Sequence, residues 1–204
     1  SDISFLFVAR GISSMIGSIW GGRLLDRFPG HRLVAAAVAA SLVMAALIPL
    51  VGSLWALTGV LLVMGITHGT LNVSGNTLII WLHGDNVPPF MNLLHFSYGA
   101  GTFISPLIVA QTLILPDGLR WSYWLLALLT LPAALYPLFL RSPRPQPRKI
   151  QDAPKPFNVS LAALLALIFF GYAAASYAFG GWVFTYATRL GLADDTAGAY
   201  LTSL

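Results

Sequence analysis

The feature that most constrains this chain is a succession of long, unbroken apolar runs whose short connections hold nearly all of the charge. The runs fall at about 3–22, 33–51, 54–82, 92–115, 121–140 and 157–188, and a seventh begins near 196. A helix needs roughly 20 apolar residues to cross the hydrocarbon core of a bilayer, so each complete run predicts one crossing. Composition agrees, because only 9% of the 204 residues are charged, against roughly 25% in a soluble domain. A soluble globular enzyme is thereby excluded. A β-barrel is excluded too, since the runs lack period-two alternation and exceed the roughly 9–11 residues of a tilted membrane strand. The expected fold is an all-α membrane protein with six complete transmembrane helices and the start of a seventh.

The cations test this segmentation. Placing successive connections on alternate sides puts Arg23, Arg27, Arg32, Arg141, Arg144, Arg148, Lys149 and Lys155 on one side, and only Arg120 and Arg189 on the other. The positive-inside rule assigns the first side to the cytoplasm. A net charge of +4 is therefore a topology signal and not a nucleic-acid footprint. The absence of cysteine removes disulfides, thiolate metal sites and Cys nucleophiles from the segment, and no cofactor is expected.

The longest connection, residues 141–156, holds five prolines and a cluster of cations. Such a stretch is extended and solvated. It divides the chain into a helix bundle at 1–140, a cytoplasmic linker at 141–156 and the start of a second bundle at 157–204. Residue 1 falls outside the cell on this topology, and Ser1-Asp2 leads straight into an apolar run. The chain is therefore expected to be a segment of a longer protein, with a helix preceding it and others following. The runs at 33–51 and 121–140 are almost wholly apolar while the others carry small and polar residues. An apolar outer helix at every third position is the pattern of a bundle built from three-helix repeats.

Between the first two runs stands Gly21-Gly22-Arg23-Leu24-Leu25-Asp26-Arg27-Phe28-Pro29-Gly30-His31-Arg32. It resembles the signature loop of the major facilitator superfamily, Gly-x-Leu-x-Asp-Arg followed by Gly and basic residues. Gly22, Leu24, Asp26, Arg27, Gly30 and Arg32 carry the match, with one extra residue at Phe28-Pro29. Gly lets helix backbones approach, Asp26 suits a helix N-terminus or an Arg, and the cations suit a helix C-terminus. Gly75-Asn76-Thr77, Trp81, the stretch from Asn92 to Pro106, and Gly180-Gly181-Trp182 through Tyr186 resemble the branch of sodium-dependent glucose transporter-like and fucose-permease-like proteins. The resemblance implies a partial superfamily bundle, helix two to the start of helix eight of twelve, in which two six-helix halves rock around a central site. It also implies a sugar-like solute and sodium or proton coupling. The segment has no Glu, and Asp2, Asp26, Asp85, Asp117, Asp152, Asp194 and Asp195 all lie in connections or at helix ends. No carboxylate relay at the membrane midplane is therefore expected within it.

Several polar residues lie within the runs and need partners or a wet cavity. His68, Asn72 and Asn76 recur every four residues, with Gly65 three before His68, so they share a helix face. Amide and imidazole groups both donate and accept hydrogen bonds, as sugar hydroxyls do; the same stripe could equally join neighbouring helices. Asn92, His95, Gly99 and Thr102 form a second stripe, with His95 either in a cavity or structural. Ser97, Gly101 and Ser105, like Gly17 and Gly21, are spaced for close packing. Arg10 lies roughly 10 Å into its run and must either snorkel outward or meet an anion. Tyr172, Ser176, Phe179 and Trp182 share an aromatic face suited to sugar CH surfaces or to ordinary packing. Pro106, Pro132 and Pro137 are expected to bend helices.

These readings lead to a multi-pass protein of the plasma or bacterial inner membrane that moves a small polar solute, with a sugar as the leading substrate, by alternating access. A carrier of another metabolite or drug, and a membrane receptor, are the alternatives. No Gly-x-Ser-x-Gly, His-Glu-x-x-His or phosphate-cradling Gly-Lys loop is present, so no enzymatic or nucleotide chemistry is expected.

Overall fold

The computed structural model describes residues 2–143 and 158–202. Among the described residues seven α-helices follow one another: α1 (Asp2–Leu25), α2 (Gly30–Leu47), α3 (Leu54–His83), α4 (Val87–Thr112), α5 (Gly118–Leu135), α6 (Val159–Arg189) and α7 (Asp195–Leu201). Among the described residues no strand occurs. Among the described residues four helical spans have the length and hydropathy to cross a membrane: Gly30–Leu50, Leu54–Thr112, Gly118–Phe139 and Val159–Arg189. The second contains both α3 and α4. Helix α1, with 24 residues, is about 36 Å long at 1.5 Å per residue, enough for a crossing of its own. Arg144, Arg148, Lys149 and Lys155, and with them most of the expected 141–156 linker, lie outside the described residues.

Local chemistry sets the helix ends. The expected connection at 83–91 contracts to the short 3-10 turn Gly84–Asn86, because Pro88 and Pro89 fall in the first turn of α4, where a missing N–H costs no helical bond. Gly84, with φ 52°, ends α3. Its left-handed backbone is the conformation that glycine adopts without a Cβ penalty. The Asn158 side chain accepts a hydrogen bond from the Leu161 amide at 2.9 Å and caps α6. Asp194 does the same for α7 through the Ala197 amide at 2.7 Å. Pro106 and Pro132 sit inside α4 and α5, while Pro137 marks the change from α5 to a 3-10 turn at Tyr136–Phe139.

The chain divides into two compact units, one of residues 1–99 and 117–146, the other of residues 100–116 and 147–204. In the first unit, α1 and α3 run parallel and in very close contact. A Cβ on Gly17 would stand 2.1 Å from the Ile66 carbonyl oxygen, one on Gly65 would stand 1.9 Å from Ser13 Oγ, and one on Gly69 would stand 2.0 Å from the Ser14 carbonyl. Thr70 Oγ1 donates to the Gly17 carbonyl at 3.2 Å and Ser18 Oγ to the Gly69 carbonyl at 3.4 Å. Small residues thus bring the backbones together, and hydroxyls satisfy groups that lipid could not. Helix α2 packs antiparallel on α3, with Ser41 Oγ donating to Thr67 Oγ1 at 2.6 Å. Helix α5 packs on α2, its Trp124 Nε1 donating to the Ala46 carbonyl at 3.2 Å.

The largest fully buried side chains are Ser13, Ser74 and Ser122, whereas Phe, Leu, Ile and Trp side chains crowd the exposed surface. A soluble protein would bury those apolar groups; in lipid, small and polar contacts hold helices together instead. In the second unit, Gln111 Nε2 of α4 donates to Tyr200 OH of α7. Gly198 of α7 lies against Thr188 and Phe184 of α6.

Candidate functional site

Helix α3 presents three different faces. Gly65, Ile66, Gly69, Thr70 and Val73 meet α1; Thr67 bonds α2 and Leu78 meets Gly30 of α2. The remaining face, with His68, Leu71, Asn72, Gly75 and Asn76, opens into a cavity of about 360 Å³ whose opposite wall is Leu94, His95 and Tyr98 of α4. Small-molecule sites typically measure about 300–1,000 Å³. Four residues chosen from sequence, His68, Asn72, Asn76 and His95, are thus brought together around one cavity.

The two asparagines are tied to each other. Asn76 Nδ2 donates to the Asn72 carbonyl at 2.8 Å and to Asn72 Oδ1 at 3.3 Å. That arrangement leaves Asn72 Nδ2 as a donor and Asn76 Oδ1 as an acceptor with no partner among the described residues. A solute hydroxyl, which gives one hydrogen bond and accepts others, matches such a pair. His68 and His95 add imidazole groups from the two walls, and Tyr98 adds an aromatic surface with a hydroxyl.

The structure also refines the two stripes. Gly65 lies at the edge of the α3 stripe and is filled by Ser13 and the Arg10 carbonyl, so it serves the α1 seam and not the cavity. On α4 the lining residues are Leu94, His95 and Tyr98, which excludes Asn92 from the wall. Tyr98 was missed in the stripe because an aromatic residue on a membrane helix carries no polar periodicity. Leu71 and Gly75 give no chemical signal in sequence either.

Arg10 lies on the side of α1 that faces α3. Its carbonyl touches the position of Gly65, one turn before His68. Its side chain is exposed, and among the described residues it forms no ion pair.

At the turn between α1 and α2, Gly30 is buried, and a Cβ there would stand 2.6 Å from Leu78 Cδ2. Gly22 is half-buried with Val73 Cγ1 at 3.9 Å from its Cβ position. Asp26, Arg27 and Arg32 are exposed, and among the described residues they make no ion pair. The His31 amide in the first turn of α2 donates to Ser142 Oγ at 3.1 Å. This link between the turn and the end of the α5 segment was not legible in sequence, because the two residues are 111 positions apart. Tyr172, Ser176 and Trp182 lie on exposed surface of α6 in the second unit.

A lipid-compatible exterior and small-residue helix seams are those of a multi-pass integral membrane protein. The chain belongs to the Major Facilitator Superfamily, whose family model matches residues 1–204. It is similar to sodium-dependent glucose transporter 1 of Homo sapiens, 26% identical over 242 residues covering 100% of this chain and 47% of that protein. The Xenopus laevis protein of the same name is 29% identical over 234 residues, covering 100% of this chain and 48% of that protein. The one from Danio rerio is 35% identical over 108 residues, covering 53% of this chain and 18% of that protein. The chain spans about half the length of the first two relatives. No solved structure matches it significantly.

Proposed function

We propose that the chain is part of a secondary transporter that moves a small polar solute, a sugar in the leading reading, across the membrane by alternating access. The observation that carries this is the convergence of His68, Asn72, Asn76 and His95 on a cavity of about 360 Å³, with an amide donor and an amide acceptor left open. The relatives' name, sodium-dependent glucose transporter 1, supports both the solute class and sodium as coupling ion. Arg10 on α1, and Tyr172, Ser176 and Trp182 on the aromatic face of α6, are further candidates for contact with the solute. Gly22, Asp26, Arg27, Gly30 and Arg32 form the conformational loop, and a Cβ on Gly30 would stand 2.6 Å from Leu78 of α3.

Residues 1–140 supply the first helix bundle, 141–156 the cytoplasmic linker and 157–204 the start of the second bundle, in a plasma membrane. No Asp of the segment lies away from a connection or helix end, so coupling through a midplane carboxylate uses other parts of the protein. The test is the full-length protein reconstituted in liposomes with a sodium gradient and a panel of labelled sugars. Saturable uptake of at least one sugar, reduced when sodium is replaced by choline, is the expected result. A protein that moves and binds none of the panel refutes the reading.

A further inference from the structure

The N-terminus of α2 is capped from far along the chain. Pro29 holds the cap position without a side-chain hydrogen bond, and no acidic residue stands in the first turn. A helix carries the equivalent of roughly half a positive charge at this end. What meets it is Ser142, whose Oγ accepts the His31 amide at 3.1 Å. The His31 residue is only 9% exposed, and its Nδ1, the ring nitrogen nearer the main chain, is buried without a hydrogen-bond partner among the described residues. One neutral hydroxyl therefore sits among more donors than it satisfies. Arg27 and Arg32 are exposed in the same turn and Arg141 precedes Ser142, with Asp26 as the carboxylate of the turn. Ser142 is followed by Pro143 and then by the basic, Pro-rich connection. Proline biases the residue before it to extended backbone, and the connection beyond is extended and solvated. A hydroxyl on such a stretch, on the cytoplasmic side by the positive-inside rule, is presented as a protein kinase takes its substrate.

We propose that Ser142 is a phosphorylation site whose phosphoryl group is held by the first turn of α2 and clamps the start of the connection to that helix. In the transfer, Ser142 Oγ attacks the γ-phosphorus of a nucleoside triphosphate in a protein kinase that accepts Ser followed by Pro. The Oγ–P bond forms, the bond from that phosphorus to the departing nucleoside diphosphate breaks, and the hydroxyl proton passes to the kinase's base. The product carries close to two negative charges at neutral pH and three strong acceptor oxygens. The first-turn amides, which lack intrahelical acceptors, the buried His31 imidazole and the Arg27 and Arg32 guanidiniums are the donors on offer, and a helix N-terminus favours an anion. The clamp acts at the turn between α1 and α2, away from the α3–α4 cavity, so it does not depend on which solute is carried.

The experiment has two arms, both on the full-length protein in lipid nanodiscs. In the first, a kinase directed to Ser-Pro sequences and ATP are added and peptide mass spectrometry locates the phosphate. Incorporation at Ser142 is expected, with none at that position in Ser142→Ala and little in Pro143→Ala. In the second, phosphoserine is installed at position 142 during synthesis, and amide hydrogen exchange is followed over residues 30–33. Exchange there should be about tenfold slower than in the unmodified protein, the scale of a charge-assisted hydrogen bond, and faster than unmodified in Ser142→Ala. Failure of the kinase to modify the native protein, when it modifies a free peptide of residues 138–148, overturns the inference. Exchange that is unchanged or faster in the phosphoserine protein overturns it as well.

Discussion

Replacing Gly17 by Ala tests the seam that holds α1 against α3 and so aims the cavity face of α3. The added Cβ would stand 2.1 Å from the Ile66 carbonyl oxygen and 2.7 Å from the Ile66 carbonyl carbon and Cα, where ordinary contact begins at 3.4 Å. All three obstructing atoms are backbone, so no side-chain rotation relieves the clash. The helices must separate, weakening the nearby Thr70 to Gly17 hydrogen bond of 3.2 Å. Overpacking of this kind costs about 1–3 kcal/mol. The control is Gly59→Ala, on the same α3 and with nothing within 4 Å of its Cβ position; helix propensity makes that change neutral or favourable by up to about 1 kcal/mol. The assay is the thermal unfolding midpoint of the full-length protein purified in detergent. Gly17→Ala should melt well below wild type and Gly59→Ala should not. Trimming the facing side chain with a second change, Ile66→Ala, should fail to restore the midpoint. Equal midpoints for Gly17→Ala and Gly59→Ala, or rescue by Ile66→Ala, would refute the backbone-contact account.

Other consequences can be checked separately. Ser142→Ala removes the acceptor for the His31 amide at the start of α2 and should lower the same midpoint by about 1 kcal/mol of stability, as loss of a helix cap does; no change would mean that water replaces the hydroxyl. Because the segment has no cysteine, single reporters can map topology in a protein otherwise cleared of cysteine. Phe28→Cys should be shielded from an impermeant maleimide in intact cells, whereas Leu119→Cys should be labelled, and the reverse pattern would invert the orientation. Tyr98→Ala, which opens the α4 wall of the cavity, should raise the KM for the transported solute with unchanged membrane abundance.

The helices were legible because lipid imposes one rule on each of them, a continuous apolar run of sufficient length. Their ends were less so. Helix α4 begins at Val87, before the apolar pattern starts, because Pro88 and Pro89 fit a first turn that hydropathy alone does not register. The polar side of the candidate site was legible through the four-residue spacing of His68, Asn72 and Asn76. Its apolar members, Leu71, Gly75 and Leu94, were not, since a membrane helix is apolar on every face and periodicity cannot select one.

Gly65 shows the same limit from the other direction. Its spacing matched the polar stripe, yet Ser13 and the Arg10 carbonyl occupy the space where a side chain would project. Sequence spacing resolves a face only to within a residue or so, and adjacent faces of α3 serve different partners. The Gly17 and Gly21 spacing announced close packing but could not name α3 as the neighbour, because the contact joins segments about fifty residues apart. The Ser142 link to His31 is a more distant case of the same kind, visible only once α2 and α5 are paired.

The central claim is that the α3–α4 cavity binds the transported solute, and Asn76→Leu tests it most directly. The change keeps the approximate size of the side chain while removing the acceptor that faces the cavity and the amide that holds Asn72. The measurement is initial-rate uptake by the full-length protein in proteoliposomes, normalised to inserted protein. The account predicts that uptake is lost while insertion and the thermal midpoint stay at wild-type values. Uptake at the wild-type rate and wild-type KM would contradict it.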